Sequence, residues 1–176
     1  MFLRKLNAFD EQNFVNLINE QVISGGSVKG VRLEDGYDFS SYLNKLKEYE
    51  NIPFESYEQE NFPTYQYALC EEGSDKILAL VVIRPYLTKE LFENYEGNVG
   101  YYVPISERGK GYAKTSLKLA IKEYKKLNPN SNELILCCYK ENVPSRKVIM
   151  SCGGVLIEEI KGMLTPQKYK IKIKKD

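Results

Sequence analysis

Ser106-Glu107-Arg108-Gly109-Lys110-Gly111-Tyr112-Ala113, between a strand-like run and an amphipathic stretch, has the residue types and spacing of an anion cradle. The first N–H groups of a helix lack intrahelical partners and sit at the positive end of its dipole. Gly109 and Gly111 let the backbone curl so that successive N–H groups face one centre, and they admit a pyrophosphate without a Cβ clash. Arg108 and Lys110 add charge beside it. An ordinary strand-to-helix turn could carry the same glycines, so the flanking elements matter. Two better-known phosphate loops do not fit: GxxxxGK[ST] is absent, and GxGxxG would need glycine where Lys114 stands.

The chain contains no histidine. That excludes Ser-His-Asp and Cys-His nucleophilic systems and every histidine-containing metal site. Proton transfer must fall to carboxylates, tyrosines, cysteines, lysines or water. Cys70, Cys137, Cys138 and Cys152 show no CxxC spacing, so no metal is expected and the thiols read as core residues. A second polar group, Glu141-Asn142-Val143-Pro144-Ser145, follows the next apolar run. Asn142 suits a helix N-cap and Pro144 the first turn.

Arg108 to Ala113 matches R-x-x-G-x-A, and with it the chain resembles the GNAT superfamily of N-acetyltransferases. The 141–145 segment looks like that family's second motif. The longer string from Arg84-Pro85-Tyr86-Leu87 through NYEGNVGYYVPISERGKGYA to NVPSRKVIMSCGGVLIEE is similar to a bacterial subgroup of predicted acetyltransferases. The resemblance implies an α/β (α+β) fold, with a mixed, strongly twisted, mostly antiparallel sheet flanked by helices. It also implies a splay between the strand ending near Val103 and the strand ending near Tyr139.

Acetyl-CoA is the implied acyl donor, held by Arg108, Gly109, Lys110, Gly111, Tyr112 and Ala113 on one side and by Asn142 and Ser145 on the other. Backbone of Tyr102 and Val103 would pair with the pantetheine arm, and a backbone N–H there would serve the thioester carbonyl. An amine acceptor attacks directly, which suits a chain without histidine. Two positions depart from the pattern. Ile149 stands where many members carry the tyrosine that protonates the thiolate, and Asn98 where the subgroup carries histidine. Glu96 is then the candidate for accepting the amine proton through water, and Tyr139 or Tyr102 for assisting the thiolate. The alternative to an N-acetyltransferase is a non-catalytic acyl-CoA-binding or sensing module.

Several elements must position these groups. Phe2 to Leu6 reads as a strand, and Asp10 as the cap of a helix with Phe14, Leu17, Ile18 and Val22 on one face, stopped at Gly25-Gly26. A second helix is expected over Phe39 to Glu50 behind Asp38, then a polar loop between Pro53 and Pro63. Tyr65 to Cys70 and Ile77 to Arg84 form a hairpin around residues 71–75, followed by a strand from Asn98 to Val103. The helix from Ala113 has Leu117, Ala120, Ile121, Tyr124 and Leu127 on one face. Leu134 to Tyr139 is expected as a central strand, and a helix follows to Gly153-Gly154. Val155 to Ile160 and Lys168 to Lys174 complete the strands.

At 176 residues the chain has the length of one domain, and residues 98–154 form the expected cofactor-binding core. Net charge is −5 over residues 1–60, −3 over 61–100 and +9 over 101–176. The basic half suits a phosphorylated cosubstrate; nucleic acid would suit it too, but no nucleic-acid-binding motif is present. The acidic half suits a cationic acceptor. No apolar run is long enough to span a membrane and no signal segment is visible, so a cytoplasmic protein without a membrane partner is expected. A second copy of the chain is a candidate partner.

Overall fold

The structure is a computed structural model that describes residues 1–23, 38–52, 63–162 and 164–173. The expected stop at Gly25-Gly26, the loop after Pro53 and the end of the last strand at Lys174 lie outside the described residues. The fold is a mixed α/β one, with antiparallel sheets flanked by helices. Strands β1 (Phe2–Lys5), β2 (Tyr65–Cys70), β3 (Ala79–Ile83) and β4 (Val99–Tyr102) pair in that order. Strands β5 (Glu133–Tyr139), β6 (Val155–Glu159) and β7 (Pro166–Lys172) form a second sheet in the order β5-β7-β6.

Helices α1 (Glu11–Ile23) and α2 (Phe39–Glu50) cover one face of the first sheet. Phe14, Leu17, Phe39 and Tyr42 pack there on Ala68, Cys70, Leu80 and Tyr102. Helix α4 (Tyr112–Leu127) lies on the other face, and helix α5 (Val143–Ser151) packs against α4 and β5. Leu117, Ala120, Tyr124 and Ile149 join residues of both sheets in one core, among them Val81, Val99, Leu134, Leu136 and Tyr169. Full burial of each large aliphatic side chain there contributes roughly 1.5–3 kcal/mol. No helix among the described residues is long and apolar enough to cross a membrane.

Three elements differ from expectation. Asp10 is not the cap of α1. Asn7 caps a 3-10 turn over Ala8–Asp10, and Asp10 turns back to accept from the Asn7 N–H at 2.8 Å and from both terminal nitrogens of Arg4 at 2.6 and 2.5 Å. A bidentate guanidinium is a stronger partner for a carboxylate than a helix N–H, so tertiary pairing overrides the cap. Helix α3 (Lys89–Glu93), capped by Thr88, is too short to show a period in the sequence. Strand β5 is an edge of its own sheet, and its burial comes instead from lying against the start of β4, where the N–H of Asn98 donates to the Ile135 carbonyl at 2.8 Å.

Candidate active site

Asn98 holds the two sheets together at the point where they part. Besides that backbone bond, its side-chain oxygen accepts from the Ile135 N–H at 2.8 Å and its amide donates to the Arg84 carbonyl at 3.0 Å. It is 5% exposed. Above this staple β4 and β5 share no ladder, and a cleft of about 610 Å³ opens between the end of β4, the loop into α4 and the start of α5. That volume suits a sizeable small-molecule ligand.

One wall is the glycine loop. After β4, Pro104 leads into a 3-10 turn over Ile105–Glu107, and the Arg108 Nε donates to the Val103 carbonyl at 3.2 Å. Gly109 and Gly111 have φ of 80° and 86°, in the left-handed region that costs an L side chain roughly 1–2 kcal/mol. A Cβ would meet nothing within 4 Å at either position, so backbone conformation rather than crowding selects glycine. Gly111 is the N-cap of α4, and no side chain caps that helix. Its leading N–H groups therefore face the cleft mouth without the capping oxygen that most helices carry.

Glu107 anchors this loop from beneath. Its carboxylate is buried and accepts from the Lys76 ammonium at 2.6 Å and the Lys110 ammonium at 3.0 Å, which hold it below the usual glutamate range. The opposite wall is the start of α5. Asn142 caps it, its side-chain oxygen accepting from the Ser145 N–H at 3.1 Å, with Pro144 in the first turn.

The residues lining the cleft include Tyr102, Val103, Arg108, Gly109, Gly111, Tyr112, Ala113, Asn142 and Ser145, so the structure brings both expected sets together. Lys110 is absent from the lining because its ammonium turns to Glu107. Tyr101, Glu107, Lys114, Pro144 and Val148 also line it. For Tyr101 there was a signal: adjacent strand residues project to opposite faces, so of two consecutive tyrosines one must turn toward α5. The buried carboxylate of Glu107 had none, since an acidic residue inside a basic loop reads as surface.

The candidate proton-transfer groups are placed unevenly. Tyr102 turns to the α1 and α2 face and is 9% exposed, and its hydroxyl has no hydrogen-bond partner among the described residues. Burial pushes its phenol up, the Arg108 charge opposes that and Glu20 adds to it. Tyr101 turns the other way, its hydroxyl 2.9 Å from the Ser145 hydroxyl. Glu96 lies outside the lining, in an ion pair with Arg84 at 3.4 Å, and would have to leave that partner to serve as a relay. Tyr139 is also outside it, at the end of β5, 43% exposed. Ile149 is in the core, 1% exposed.

Comparison with known proteins bears on this geometry. A family model described as an acetyltransferase (GNAT) domain matches residues 32–155. No curated protein sequence matches the chain. Among solved structures, the ribosomal-protein-S5-alanine acetyltransferase of Vibrio fischeri is similar at a TM-score of 0.70 and 16% identity, over 97% of this chain and 91% of that one. A variant of the spermidine N-acetyltransferase of Vibrio cholerae is similar at 0.65 and 15%, over 98% and 95%. The yncA protein of Salmonella typhimurium, solved with its cofactor acetyl-CoA, is similar at 0.64 and 14%, over 99% and 94%. At such identities the likeness is one of fold.

Proposed function

The chain belongs to the GNAT acetyltransferase family, and from that premise we propose that it transfers the acetyl group of acetyl-CoA directly to a primary amine of a small molecule or peptide. The observation that carries this reading is the cleft itself, with an uncapped helix start and two left-handed glycines on one wall and the Asn142-capped helix on the other. In this reading the N–H groups of residues 109–113 and the Arg108 side chain hold the pyrophosphate. Lys110 supplies charge from its position on Glu107. The end of β4 at Tyr102 and the following Val103 pair with the pantetheine arm through backbone groups, since among the described residues β4 has no neighbour strand on that side above Asn98. Asn142 and Ser145 face it from α5. The Tyr102 hydroxyl, without a hydrogen-bond partner among the described residues, is a group that the acceptor can satisfy.

Acetyl-CoA supplies an activated acyl group, so what the protein must provide is orientation and proton handling. An alkylamine with a pKa near about 10.4 must shed a proton before it attacks, and a thiolate of pKa about 8.5 leaves with little help. The second reading, a non-catalytic CoA-binding module, is favoured by one observation: Ile149, where the family tyrosine would stand, is sealed in the core.

A panel of primary amines separates the two, and it should include spermidine and a peptide with a free N-terminal alanine, the acceptors suggested by the structural relatives. CoA release with any amine supports transfer, while acetyl-CoA binding without turnover across the panel supports the module. The site assignment has its own test. Gly111→Val forces a β-branched residue into left-handed backbone and should weaken acetyl-CoA binding at least about tenfold, with acetyl-pantetheine binding changed by less than about twofold. Equal losses for both ligands would remove the pyrophosphate from this loop.

A further inference from the structure

One lining residue that the sequence did not single out, Tyr101, carries a paired hydroxyl. Tyr101 crosses from β4 to the first turn of α5, where its hydroxyl lies 2.9 Å from the Ser145 hydroxyl and donates to the Ser145 carbonyl at 3.3 Å. Both residues line the cleft, and Val148 lies beside them on α5. Two other titratable groups on the wall point away from it. Glu107 is an acceptor held by two lysines, and Tyr102 turns to the opposite face of β4.

We propose that Tyr101 is a catalytic residue, whose hydroxyl, oriented by Ser145, donates a hydrogen bond to the sulfur of CoA as the thioester breaks. This rests on the acetyl-transfer reading above. The amine nitrogen forms a bond to the acetyl carbon, the carbon–sulfur bond breaks, and its electron pair passes to sulfur. The proton shed by the amine goes to water, and Tyr101 keeps its own. Ser145 makes this possible because its hydroxyl can donate to the Tyr101 oxygen, so the phenolic hydrogen has only the long 3.3 Å bond to the Ser145 carbonyl to give up as it turns to the sulfur. Burial pushes the Tyr101 phenol up to about 12, against a smaller opposing effect of the Ser145 hydrogen bond, so the donor stays protonated through the neutral range. A hydrogen bond to a charged acceptor in a partly dry site has an effect of roughly ten- to a hundredfold on a rate or affinity.

The test pairs turnover with product binding. Tyr101→Phe should lower kcat about ten- to a hundredfold and leave KM for acetyl-CoA within about twofold, because acetyl-CoA carries no charge on sulfur. Independently of turnover, calorimetric binding of free CoA from about pH 7 to about pH 10 should tighten as its thiol ionises in the wild type, and this tightening should vanish in Tyr101→Phe. Ser145→Ala should give the same pattern in milder form, and serves as the second variant if the phenylalanine disturbs packing. Wild-type turnover with an unchanged pH profile of CoA binding in Tyr101→Phe overturns the proposal and leaves acetyl transfer standing. A wild-type protein that binds no acetyl-CoA overturns both. If the wild type binds but acetylates nothing, the CoA profile alone decides for or against Tyr101.

Discussion

Glu107 shows how one buried carboxylate organises the glycine loop. It joins Lys76, from the turn between β2 and β3, to Lys110 within the loop, so two segments distant in sequence share one anion. The lysine hydrogen bonds, Lys76 first, depress its pKa in the folded protein. A depressed carboxylate contributes stability that is present above its unfolded value of about 4.3 and lost as pH falls through the folded value. Glu107→Gln should therefore lower Tm by roughly 3–5 °C at neutral pH, and the gap to wild type should narrow as pH falls below about 4.3 and close only below the depressed folded value, where both side chains are neutral. Calorimetric melting at the two pH values checks this. A gap that persists in acid would mean the loss is one of packing. Nothing in the sequence marked Glu107, because the partner that buries it arrives from another hairpin, whereas Gly109 and Gly111 were legible from the backbone freedom their positions demand.

At the scale of elements, the cleft depends on two sheets touching at one end and parting at the other. Asn98 supplies the touching end, with side-chain bonds to the Ile135 N–H and the Arg84 carbonyl. Truncation to alanine would leave a donor and an acceptor buried without partners, at about 1–3 kcal/mol each. Asn98→Ala is expected to lose roughly 2–4 kcal/mol in urea unfolding, with the m-value unchanged, and to weaken acetyl-CoA binding as β4 loses its reference to β5. A loss below about 0.5 kcal/mol would mean that water replaces both bonds. Helices α2 and α4 were readable because each spans enough turns to show its apolar face. Strand β5 was readable as apolar but not as an edge, since strand order leaves no trace in a single strand's composition.

The whole molecule has an unusual titration profile. With no histidine, no side chain of ordinary pKa changes charge between about pH 5 and about pH 8. Stability in that window should be flat. Below it, carboxylates give way: burial pulls Asp10 up, but its Arg4 and Asn7 hydrogen bonds outweigh that and hold it low, and Glu107 behaves likewise. Stability from such groups is lost as pH falls through their folded values. Above the window the buried tyrosines act with the opposite sign. Desolvation raises Tyr42, Tyr67 and Tyr101, the last to about 12. Their contribution is complete below the unfolded value of about 10 and lost as pH rises toward the folded values. The urea midpoint should therefore hold constant from about pH 5 to about pH 8 and fall on both sides. A slope near neutrality would point to the thiols.

The sequence by itself determined what depends on local chemistry. A left-handed glycine, a helix N-cap such as Asn142 and an amphipathic period are each set by a few neighbouring residues, so the glycine loop and the start of α5 were legible from residue types, while the cleft between them was implied by the family resemblance. The tertiary structure decided which side chains reach that cleft. Glu96 and Tyr139 were drawn to it by sequence position, yet Glu96 pairs with Arg84 and Tyr139 points from the end of β5 outside the lining. Tyr101 enters because β4 and α5 meet across the split, with Ser145 waiting 44 residues further along the chain. Long-range pairing of this kind is a matter of sheet order and register, and no local pattern of residues encodes it.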